Sequence, residues 1–473
     1  MSQSTNSPAV VAARLTELLK TLEGSAAELR KYLKTQSQDK KLKVDHPFAF
    51  FGDAQASNHA SRIKIACERL DTLVTPPHNV IVERAGLFYR STALDICLKH
   101  NVADHIRDLD KDGKGVPIEE LGAAAKLDAD LLGRLLRVLS TKGTFQEVEK
   151  GVFKNTLASS VMINDPEYNA IMDLWITDNG VGAPKLGNFA EELYRARISG
   201  SGSKTPSPFA MATGNEWYDY LPLNPDRAKN FNLAMRGQAR GESTFSLPYV
   251  FPFADYDFSA LPKGSMFVDV GGGVGTIAEI LLLAYPNLKI VLQDMESVVK
   301  SATENPTANI KRFMDEGRLI FQVQDFFSDQ PKYLDGAVFM LSNVLHNHRD
   351  ANAVKLLKAL RRSNPSRLLI VDRVLGPFFP TEATTPEGEQ EIHNNMRASW
   401  EGVGTIHGVH VPPRSQVVPA QYDMVMATMF GAKTRRLEEW ISLLEESGFS
   451  LLSLSPLRAS SGQTVIEAVV RLN

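Results

Sequence analysis

Apolar residues recur at helical spacing near the start of the chain, with polar and charged residues between them. The positions that share this spacing are Val10, Val11, Leu15, Leu18, Leu19 and Leu22. Because one face of the segment is apolar, the pattern predicts an amphipathic helix. Its apolar face needs a partner, which either the same chain or a second copy of the chain could supply.

The next part of the chain combines helical patterns with a short strand-like region. A helix is predicted from Val82 to His100, and the segment that begins at Val116 opens a shorter one. Leucines between 131 and 139 line one face of a further helix, which ends at a glycine. Alternating apolar residues over 145–153 then predict a two-stranded wing. Helix, turn, helix and wing in this order predict a winged-helix module at about 85–160.

Charge argues against the DNA binding that a winged helix usually suggests. The second helix of the module carries Asp128 and Asp130 and few basic residues, so it would repel phosphate. The whole chain has 52 Lys and Arg against 55 Asp and Glu, a net charge of -3. We therefore expect no nucleic-acid partner. A further helical region follows from about 165 to 245, interrupted by a Gly/Ser/Pro loop at 199–208.

The periodicity changes after Pro262. Short apolar runs typical of strands alternate there with helical stretches, and they read MFVDV, KIVLQD, LIFQVQDFF, AVFMLSNV and RLLIVDRV. This alternation predicts a parallel sheet with helices on both faces, which is a doubly wound α/β domain. Two last β-rich segments, LLSLSPL and TVIEAVVRL, could close the sheet.

These two patterns divide the chain into a helical part, 1–250, and an α/β part, 251–473. Within the second part, residues 376–420 are rich in Pro, Gly, Glu and Thr and show no clear periodicity. Structureless segments of this length in compact domains are usually functional lids or mobile insertions. We therefore expect a long insertion at about 376–420.

Composition places the chain among ordinary globular proteins, because its 473 residues are 43% hydrophobic and 23% charged. The two cysteines, Cys67 and Cys97, are too few for a disulfide framework and suit a reducing compartment. The N-terminus lacks the pattern of a secretion signal, and no run reaches the roughly 18 apolar residues of a spanning helix. We therefore expect a cytoplasmic protein that has no membrane partner.

The segment Phe-Val-Asp-Val-Gly-Gly-Gly-Val-Gly at 267–275 carries the clearest chemical signal. Its glycines follow a predicted strand and open a helix, so the backbone can turn sharply and a ligand can approach without any Cβ in the way. Thr276 stands where a dinucleotide fingerprint needs glycine, which weakens a nicotinamide interpretation. Asp294 ends the next predicted strand, where a carboxylate can accept hydrogen bonds from both ribose hydroxyls. Together these features predict a nucleotide-like cofactor.

With the stretch SPFAMATGNEWYDYLPLNPDRAKNFNLAM and the segment NVLHNH, these motifs resemble the class I S-adenosylmethionine-dependent methyltransferases. More narrowly, the chain resembles fungal and plant small-molecule O-methyltransferases related to caffeate and flavonoid enzymes, over most of its length. The resemblance implies a Rossmann-like doubly wound C-terminal domain that binds S-adenosylmethionine, and an all-α winged-helix N-terminal domain for dimerisation. It further implies a homodimer that methylates a hydroxyl of an aromatic or polyketide-type small molecule.

The resemblance also assigns roles to residues at matching positions. Those for the cofactor are Asp269, Gly271 and Gly273 at its methionine part, Asp294 at its ribose, and Asp325 and Phe326 at its adenine. Those for the acceptor pocket are Phe231, Met235 and Met424. His346 falls where the family keeps its general base, and Asp372 could take the place of one of its two supporting acids. A neutral imidazole can take a phenol's proton near neutral pH, so this chemistry requires no metal.

Three positions depart from the family pattern. Thr434 stands where the family usually has the second supporting glutamate, and Asn347 replaces the aspartate that follows the histidine. Ser342 occupies a place where a basic residue often lies near the cofactor. These departures keep open a methyltransferase-like pericyclase or dehydratase that binds S-adenosylmethionine without consuming it. A non-catalytic cofactor-binding protein is a third alternative, against which His346 argues.

Several of these residues also have plainer interpretations. Phe231 and Met235, four apart on a helix, could be plain core, and His346 could be a capping histidine at a strand end. A metal site is suggested by His348, His393, His407 and His410. No matching set of acids or cysteines accompanies these histidines, so we expect no metal.

Overall fold

The computed structural model describes residues 7–38, 54–200, 205–244, 256–262, 266–304, 306–375, 405–406, 417–457 and 463–471. The chain divides into two compact units, of which the first combines residues 1–74 with 239–473 and the second covers 75–238. The sequence pattern groups residues 1–74 with the helical part instead. A helical pattern identifies an element but does not show what the element packs against, so it could not decide this grouping.

The predicted first helix is present and extends further than its apolar pattern. It is α1, Pro8–Gln38, and it packs against α2, Ala54–Val74, a helix that the pattern did not predict. Leu18 is buried, whereas Leu19 on the predicted apolar face is 40% exposed. A partner for α1 is thus supplied by the same chain.

The second unit is mainly helical. Its helices are α3 (Pro77–Ala85), α4 (Leu87–Lys99), α5 (Val102–Leu109), α6 (Ile118–Ala125), α7 (Ala129–Ser140), α8 (Leu157–Ser160), α9 (Pro166–Asp173), α10 (Asn179–Gly182), α11 (Leu186–Ser199), α12 (Pro208–Thr213), α13 (Trp217–Leu223) and α14 (Pro225–Thr244), the last running past the unit's end. The single helix predicted over 82–100 is wrong: α3 and α4 are separate helices that meet at Gly86. Glycine has low helix propensity, which favours a break at that position.

The predicted wing is present, and it contains one strand more than expected. β2 (Phe145–Glu149) and β3 (Val152–Asn155) form an antiparallel hairpin, and β1 (Val116–Pro117) pairs with the other side of β3. The N-terminal part is therefore not purely α-helical. Phe145 and Phe153 are fully buried and join the core of this unit with leucines from α6 and α7.

The first unit is built on one large sheet. Its described strands are β4 (Phe267–Val270), β5 (Ile290–Asp294), β6 (Leu319–Val323), β7 (Val338–Ser342), β8 (Arg367–Leu375), β9 (Thr405–Ile406), β10 (Arg435–Arg436), β11 (Phe449–Pro456) and β12 (Gln463–Val470). Their order is β6-β5-β4-β7-β8-β12-β11-β9, with β10 beside β8. Strands β4 to β8 are parallel, and β12 runs antiparallel to both β8 and β11. The five strands predicted from the apolar runs are confirmed, and the two last β-rich segments extend the sheet as β11 and β12.

Helices cover both faces of this sheet. They are α15 (Thr276–Ala284), α16 (Glu296–Glu304), α17 (Ala308–Asp315), α18 (Asp350–Arg361), α19 (Val417–Phe430) and α20 (Leu437–Glu446). Val268 and Val270 of β4 join one core with Trp440 of α20, whereas Phe267 joins the core on the other face. Strands buried on both faces have continuous apolar sequences, which is why their pattern was easy to recognise.

The few described residues of the predicted insertion include two elements that its composition did not indicate. β9 pairs in parallel with β11, and α19 begins at Val417, inside the predicted range 376–420. His393, His407 and His410 lie outside the described residues. None of the helices in the described ranges has both the length and the apolar composition that crossing a membrane requires.

Candidate active site

The candidate site lies at the carboxyl edge of the sheet. β4, β5, β7 and β8 are parallel, so their carboxyl ends share that edge. Chain order reverses between β4 and β7, and ligands of open α/β sheets bind at such a switch point. Asp294 ends β5, His346 follows β7, and Asp372 lies near the end of β8. The fold thereby brings together residues that are far apart in the sequence.

The glycine loop after β4 needs glycine for two different reasons. Gly271 and Gly273 have φ values of +70° and +60°, a region that L side chains rarely adopt. A Cβ on Gly271 would lie 2.9 Å from Cγ2 of Val344, so the loop approaches the turn that carries His346. A Cβ on Gly273 would meet no atom of the described residues within 4 Å. Gly273 therefore faces space that a ligand can fill.

Two carboxylates flank this loop. Oδ2 of Asp294 accepts the N–H of Gly273 at 2.8 Å, and its Oδ1 accepts the N–H of Met295. Asp269 is 1% exposed, and neither of its carboxylate oxygens has a hydrogen-bond partner among the described residues. Burial, with a smaller contribution from the charge of Asp294, raises the pKa of Asp269 to about 7. A buried acceptor without donors indicates that a ligand supplies them.

The segment after β6 closes a turn with its own side chain. The carboxylate of Asp325 accepts the N–H of Phe327 at 2.9 Å and the hydroxyl of Ser328 at 3.0 Å. The strand predicted to run on through Phe327 therefore ends at Val323. The ring of Phe326 lies 5.5 Å from the ring of His348.

His346 and Asp372 form a buried pair. Nδ1 of His346 lies 2.7 Å from Oδ1 of Asp372, and the His346 backbone N–H donates to Oδ2 at 3.2 Å. His346 is 5% exposed and Asp372 is fully buried. Burial alone would raise the pKa of Asp372, but the charge that His346 carries when protonated, its hydrogen bond and the Arg373 N–H hold the pKa of Asp372 below its ordinary value. Asp372 is therefore an ionised acceptor, and Nδ1 of the imidazole carries the proton that it receives.

The positions that depart from the family pattern make local contacts. Thr434 is 3% exposed, and its backbone N–H donates to Oδ1 of Asp423 at 2.8 Å. The side-chain amide of Asn347 donates to the carbonyl of Asn343 at 3.4 Å. Burial, followed by the charge that His346 carries when protonated and by the charge of Arg435, lowers the pKa of His348 to about 4.

Polar residues that contact the segment around His346 were not predicted from the sequence. Oδ1 of Asn343 accepts from Gln463 at 3.0 Å and from Arg373 at 3.3 Å. Arg435, fully buried, donates to the backbone on both sides of His346. The available signal was Arg373 within an apolar strand, where an unpaired charge is costly, and no such signal marked Arg435.

The residues assigned to the acceptor pocket fall in different units. In the second unit, Phe231 and Met235 lie half-buried on α14, with the Phe231 ring 5.4 Å from that of Trp217. Met424 of the first unit lies on α19 and is 49% exposed. Within the described ranges, no cluster of three or more His, Cys, Asp or Glu is arranged to hold a metal.

Comparisons with known proteins identify the family. A family model described as the O-methyltransferase domain matches residues 201–450, and the O-methyltransferase dimerisation domain matches residues 82–165. The chain is 29% identical over 347 residues to 4-O-methyltransferase 1 of Phanerochaete chrysosporium, covering 70% of this chain and 72% of that protein. It is 25% identical over 472 residues to O-methyltransferase aurJ of Gibberella zeae, covering 96% and 98%.

Solved structures agree on the fold. Human N-acetylserotonin methyltransferase, solved in complex with S-adenosylmethionine, is 16% identical with a TM-score of 0.62, covering 84% of this chain and 99% of that chain. LaPhzM is 23% identical with a TM-score of 0.59, covering 84% and 100%. The O-methyltransferase domain model spans more than half of the chain, and the sheet and its covering helices match this fold. The chain therefore belongs to the O-methyltransferase family, whose members use S-adenosylmethionine, and it carries that family's dimerisation domain.

Proposed function

We propose that this O-methyltransferase uses His346 as the general base that deprotonates a hydroxyl of an aromatic or polyketide-type small molecule. The observation that carries the proposal is the buried pair of His346 and Asp372, with Nδ1 and Oδ1 2.7 Å apart. The pair lies at the same sheet edge as the glycine loop, whose Gly271 approaches Val344, two residues before the histidine. Base and cofactor loop thus share one site.

The pair fixes which nitrogen of the imidazole can act. Because Asp372 is an ionised acceptor, Nδ1 holds the proton and Nε2 keeps its lone pair. When bound, S-adenosylmethionine supplies a methyl group activated by a sulfonium. His346 accepts the hydroxyl proton on Nε2 as the acceptor's oxygen gains the methyl group. Asp372 then stabilises the imidazolium, as the carboxylate does in a catalytic triad.

The glycine loop and its carboxylates fit this cofactor. Asp269 offers two buried oxygens that receive no donor from the part of the chain that the structure describes, which suits the cationic ammonium of a methionine group. Each Asp294 oxygen accepts one backbone N–H and can accept one further bond, which suits two ribose hydroxyls. Open space beside Gly273 leaves room for the chain between them. We propose that Asp325 and Phe326 contact the adenine. The Asp325 carboxylate already accepts two hydrogen bonds within its turn and can accept a further one from the adenine.

Relatives support an aromatic acceptor. A protein of Lysobacter antibioticus that is 26% identical is a phenazine O-methyltransferase. A solved relative, NcsB1, was crystallised with 1,4-dihydroxy-2-naphthoic acid. Both molecules are planar and aromatic, and apolar side chains such as Phe231, Met235 and Met424 suit such surfaces. The role of each of these three residues at the acceptor stays a prediction from the family resemblance.

One observation favours a second candidate function. Thr434 is buried where the family pattern has a glutamate, so the imidazole has one supporting carboxylate rather than two. An enzyme that dehydrates its substrate or guides a pericyclic reaction would tolerate this loss, because it transfers no methyl group and so needs no base for that step. In that case the cofactor's positive charge would act as a fixed electrostatic element and would not be consumed.

The test is turnover with a panel of phenols, dihydroxynaphthoates and hydroxyphenazines, following S-adenosylhomocysteine and methylated product. We expect equal amounts of both products. His346→Ala should lower kcat by about 10²–10⁴-fold with little change in cofactor Kd, because the proton moves only in the transition state. His105→Ala, which removes an imidazole from the second unit, is the control. Product without S-adenosylhomocysteine would support the second candidate, and full activity of His346→Ala would exclude the histidine as base.

We propose that the protein is a homodimer through α3 and α4. The dimerisation domain match begins at residue 82, within α3. Exposed large apolar side chains cluster on these helices, with exposures of 47–68%, and they are Ile81, Val82, Leu87, Phe88 and Tyr89. Monomeric soluble proteins rarely expose such apolar clusters, which usually mark an interaction surface. We propose the cytoplasm as the protein's compartment, because both of its cysteines are free.

A further inference from the structure

The turn that carries His346 is held by two oppositely charged residues. We propose that Arg435 is a positioning residue for His346, which fixes the turn through its carbonyl groups while Asp372 fixes it through its N–H groups. The inference rests on the proposed role of His346 as the base. It assigns a function to a buried cation adjacent to Thr434, the position where the family pattern has an acid.

The turn is too short to hold itself. His346 lies in a single 3-10 turn, Leu345–Asn347, between β7 and α18. One such turn satisfies few of its own backbone groups, so partners outside it must fix its geometry. Asp372 accepts both the backbone N–H and the ring Nδ1–H of His346. That carboxylate can bind only donors, so the carbonyl groups need another partner.

Arg435 is that partner. Its Nη1 donates to the carbonyl of Leu345 at 2.9 Å, and its Nη2 donates to the carbonyl of His348 at 2.8 Å. The two carbonyls bracket His346, one residue before it and two residues after it. The guanidinium therefore spans the histidine along the backbone. A rotation of the turn would break at least one of these bonds.

The charge of Arg435 is compensated on its other side. Nε and Nη2 both donate to Oδ1 of Asp350, at 2.9 and 2.8 Å. The guanidinium carbon lies 5.3 Å from the Trp440 ring centroid. A fully buried charge is costly unless it is paired and hydrogen-bonded, and here it is both. Asp350 begins α18, so the same contact ties the turn to the helix that follows it.

The sheet places both supports side by side. Arg435 belongs to β10, which pairs in parallel with β8, and its register partner is Val374. Asp372 lies two residues earlier on β8. The two charged side chains therefore rise from neighbouring strands at one edge of a rigid sheet. A base held this way needs less help from a second carboxylate, which fits the presence of threonine at 434.

Arginine is required by the geometry of these contacts. Its planar fork presents five N–H donors in fixed directions, whereas a lysine is a single point donor on a flexible stem. Lysine at 435 could reach one carbonyl or Asp350 but would not bracket the histidine. Displacing a catalytic group by about 1 Å can cost about 10²-fold in rate. The size of the expected defect follows from this sensitivity.

The experiment compares Arg435→Lys and Arg435→Met with wild type, with Arg318→Lys as a matched control. Arg318 also donates to backbone carbonyls, those of Leu282, Tyr285 and Leu288, but at the far end of α15. The first readout is the far-downfield Nδ1–H resonance of His346 in ¹⁵N-histidine-labelled protein, assigned by its loss in His346→Ala. This readout needs no acceptor molecule. The second readout is kcat, KM and cofactor Kd with the phenol of the panel above that is turned over.

We expect Arg435→Met to lose or broaden that resonance and to lower kcat by about 10–100-fold, with cofactor Kd within about 2-fold. Arg435→Lys should fall between Met and wild type, and it carries the test if Met prevents folding. In the His346→Ala background, Arg435→Met should lower kcat no further. Arg318→Lys should change neither readout.

An unchanged resonance in both Arg435 variants would overturn the inference. Additive losses in the double variant would overturn it as well, because they would show that Arg435 acts independently of His346. If His346→Ala stays active while Arg435→Met still loses the resonance, the proposed base is wrong but the positioning contact stands. The two failures are thus distinguishable.

Discussion

The pKa values of two buried carboxylates at the same sheet edge, Asp372 and Asp269, are shifted in opposite directions. Asp372 receives hydrogen bonds from His346 and from the Arg373 backbone, which favour its charged form and lower its pKa. Asp269 receives none from the described residues, so burial dominates and raises its pKa to about 7. The difference follows from partners, not from depth, because both side chains are almost fully buried. Asp372, with its donors in place, can orient the imidazole of His346. Asp269, which lacks donors among the described residues, can accept hydrogen bonds from a ligand.

Asp269→Asn should therefore stabilise the cofactor-free protein and weaken cofactor binding. Between the ordinary pKa of 3.8 and about 7, folded Asp269 keeps a proton that the unfolded chain has released, so its contribution to stability is lost as pH rises. Thermal unfolding should show the variant above wild type at about pH 8, and the difference should shrink as the pH falls and vanish only below about pH 4. Cofactor Kd, from calorimetry, should rise by about 10–100-fold for a lost charge-assisted contact.

The matched control for this carboxylate is Asp315→Asn on the exposed surface of α17, which should change neither quantity. Equal melting temperatures of Asp269→Asn and wild type across the pH range would contradict the raised pKa. Unchanged cofactor affinity would remove Asp269 from the proposed binding site.

At the scale of elements, the glycine loop shows that one motif contains different constraints. Gly271 combines a positive φ with close approach to Val344, so a side chain there would disturb the turn of His346. Gly273 has a positive φ but open space around its Cβ position. A substitution at Gly273 therefore tests ligand binding without disturbing the packing of neighbouring side chains, whereas one at Gly271 would affect both.

Gly273→Ala should therefore fold and yet bind the cofactor poorly. An alanine at φ +60° costs about 1–2 kcal/mol of stability, and its methyl group would occupy the open space beside Asp294. Gly317→Ala is a matched control, since Gly317, in the turn after α17, has φ +65° and no atom of the described ranges within 4 Å of its Cβ position. Denaturant unfolding should give similar losses for both variants. Calorimetry should show weaker cofactor binding only for Gly273→Ala, and equal affinities would contradict a ligand at Gly273.

At the scale of the whole molecule, exposed large apolar side chains of the described residues cluster on α3 and α4 of the second unit. The sequence pattern predicted that the apolar face of the helix at 10–22 needs a partner, and α1 has that partner in α2 of the same chain. The side chains of Phe88 and Tyr89 are 58% and 61% exposed, with ring centroids 4.0 Å apart. These exposed aromatic rings are typical of an interface centre.

Phe88→Asp should convert the proposed dimer into a monomer. A carboxylate in an apolar interface would lose its hydration without gaining a partner, which disfavours association. Light scattering at micromolar concentration measures the mass of both proteins, and melting temperature checks that the variant folds. Ile320→Asp, at an exposed position of the sheet's edge strand β6, is the control and should leave the mass unchanged. A wild-type monomer would contradict the dimer, and a dimeric Phe88→Asp would place the interface elsewhere.

The sequence by itself determined the elements with strong local patterns. Buried strands, the glycine loop and Asp294 were recognisable because apolar runs and glycines constrain the backbone within a few residues. Helix α2 and the two-residue strands β9 and β10 were missed, because such segments take their structure from what they pack against. The family and its cofactor chemistry could be anticipated from the same short motifs.

Only the tertiary structure decided how the site is held together. Asp372 is 26 residues from His346, and Arg435 is 90 and 87 residues from the carbonyls that it binds. The sequence suggested the first of these contacts through the family pattern and gave no indication of the second. Whether a buried charge finds a partner depends on which strands become neighbours, and that is settled by packing of the whole sheet. Local sequence therefore fixes the chemistry available at the site, and long-range packing fixes its orientation.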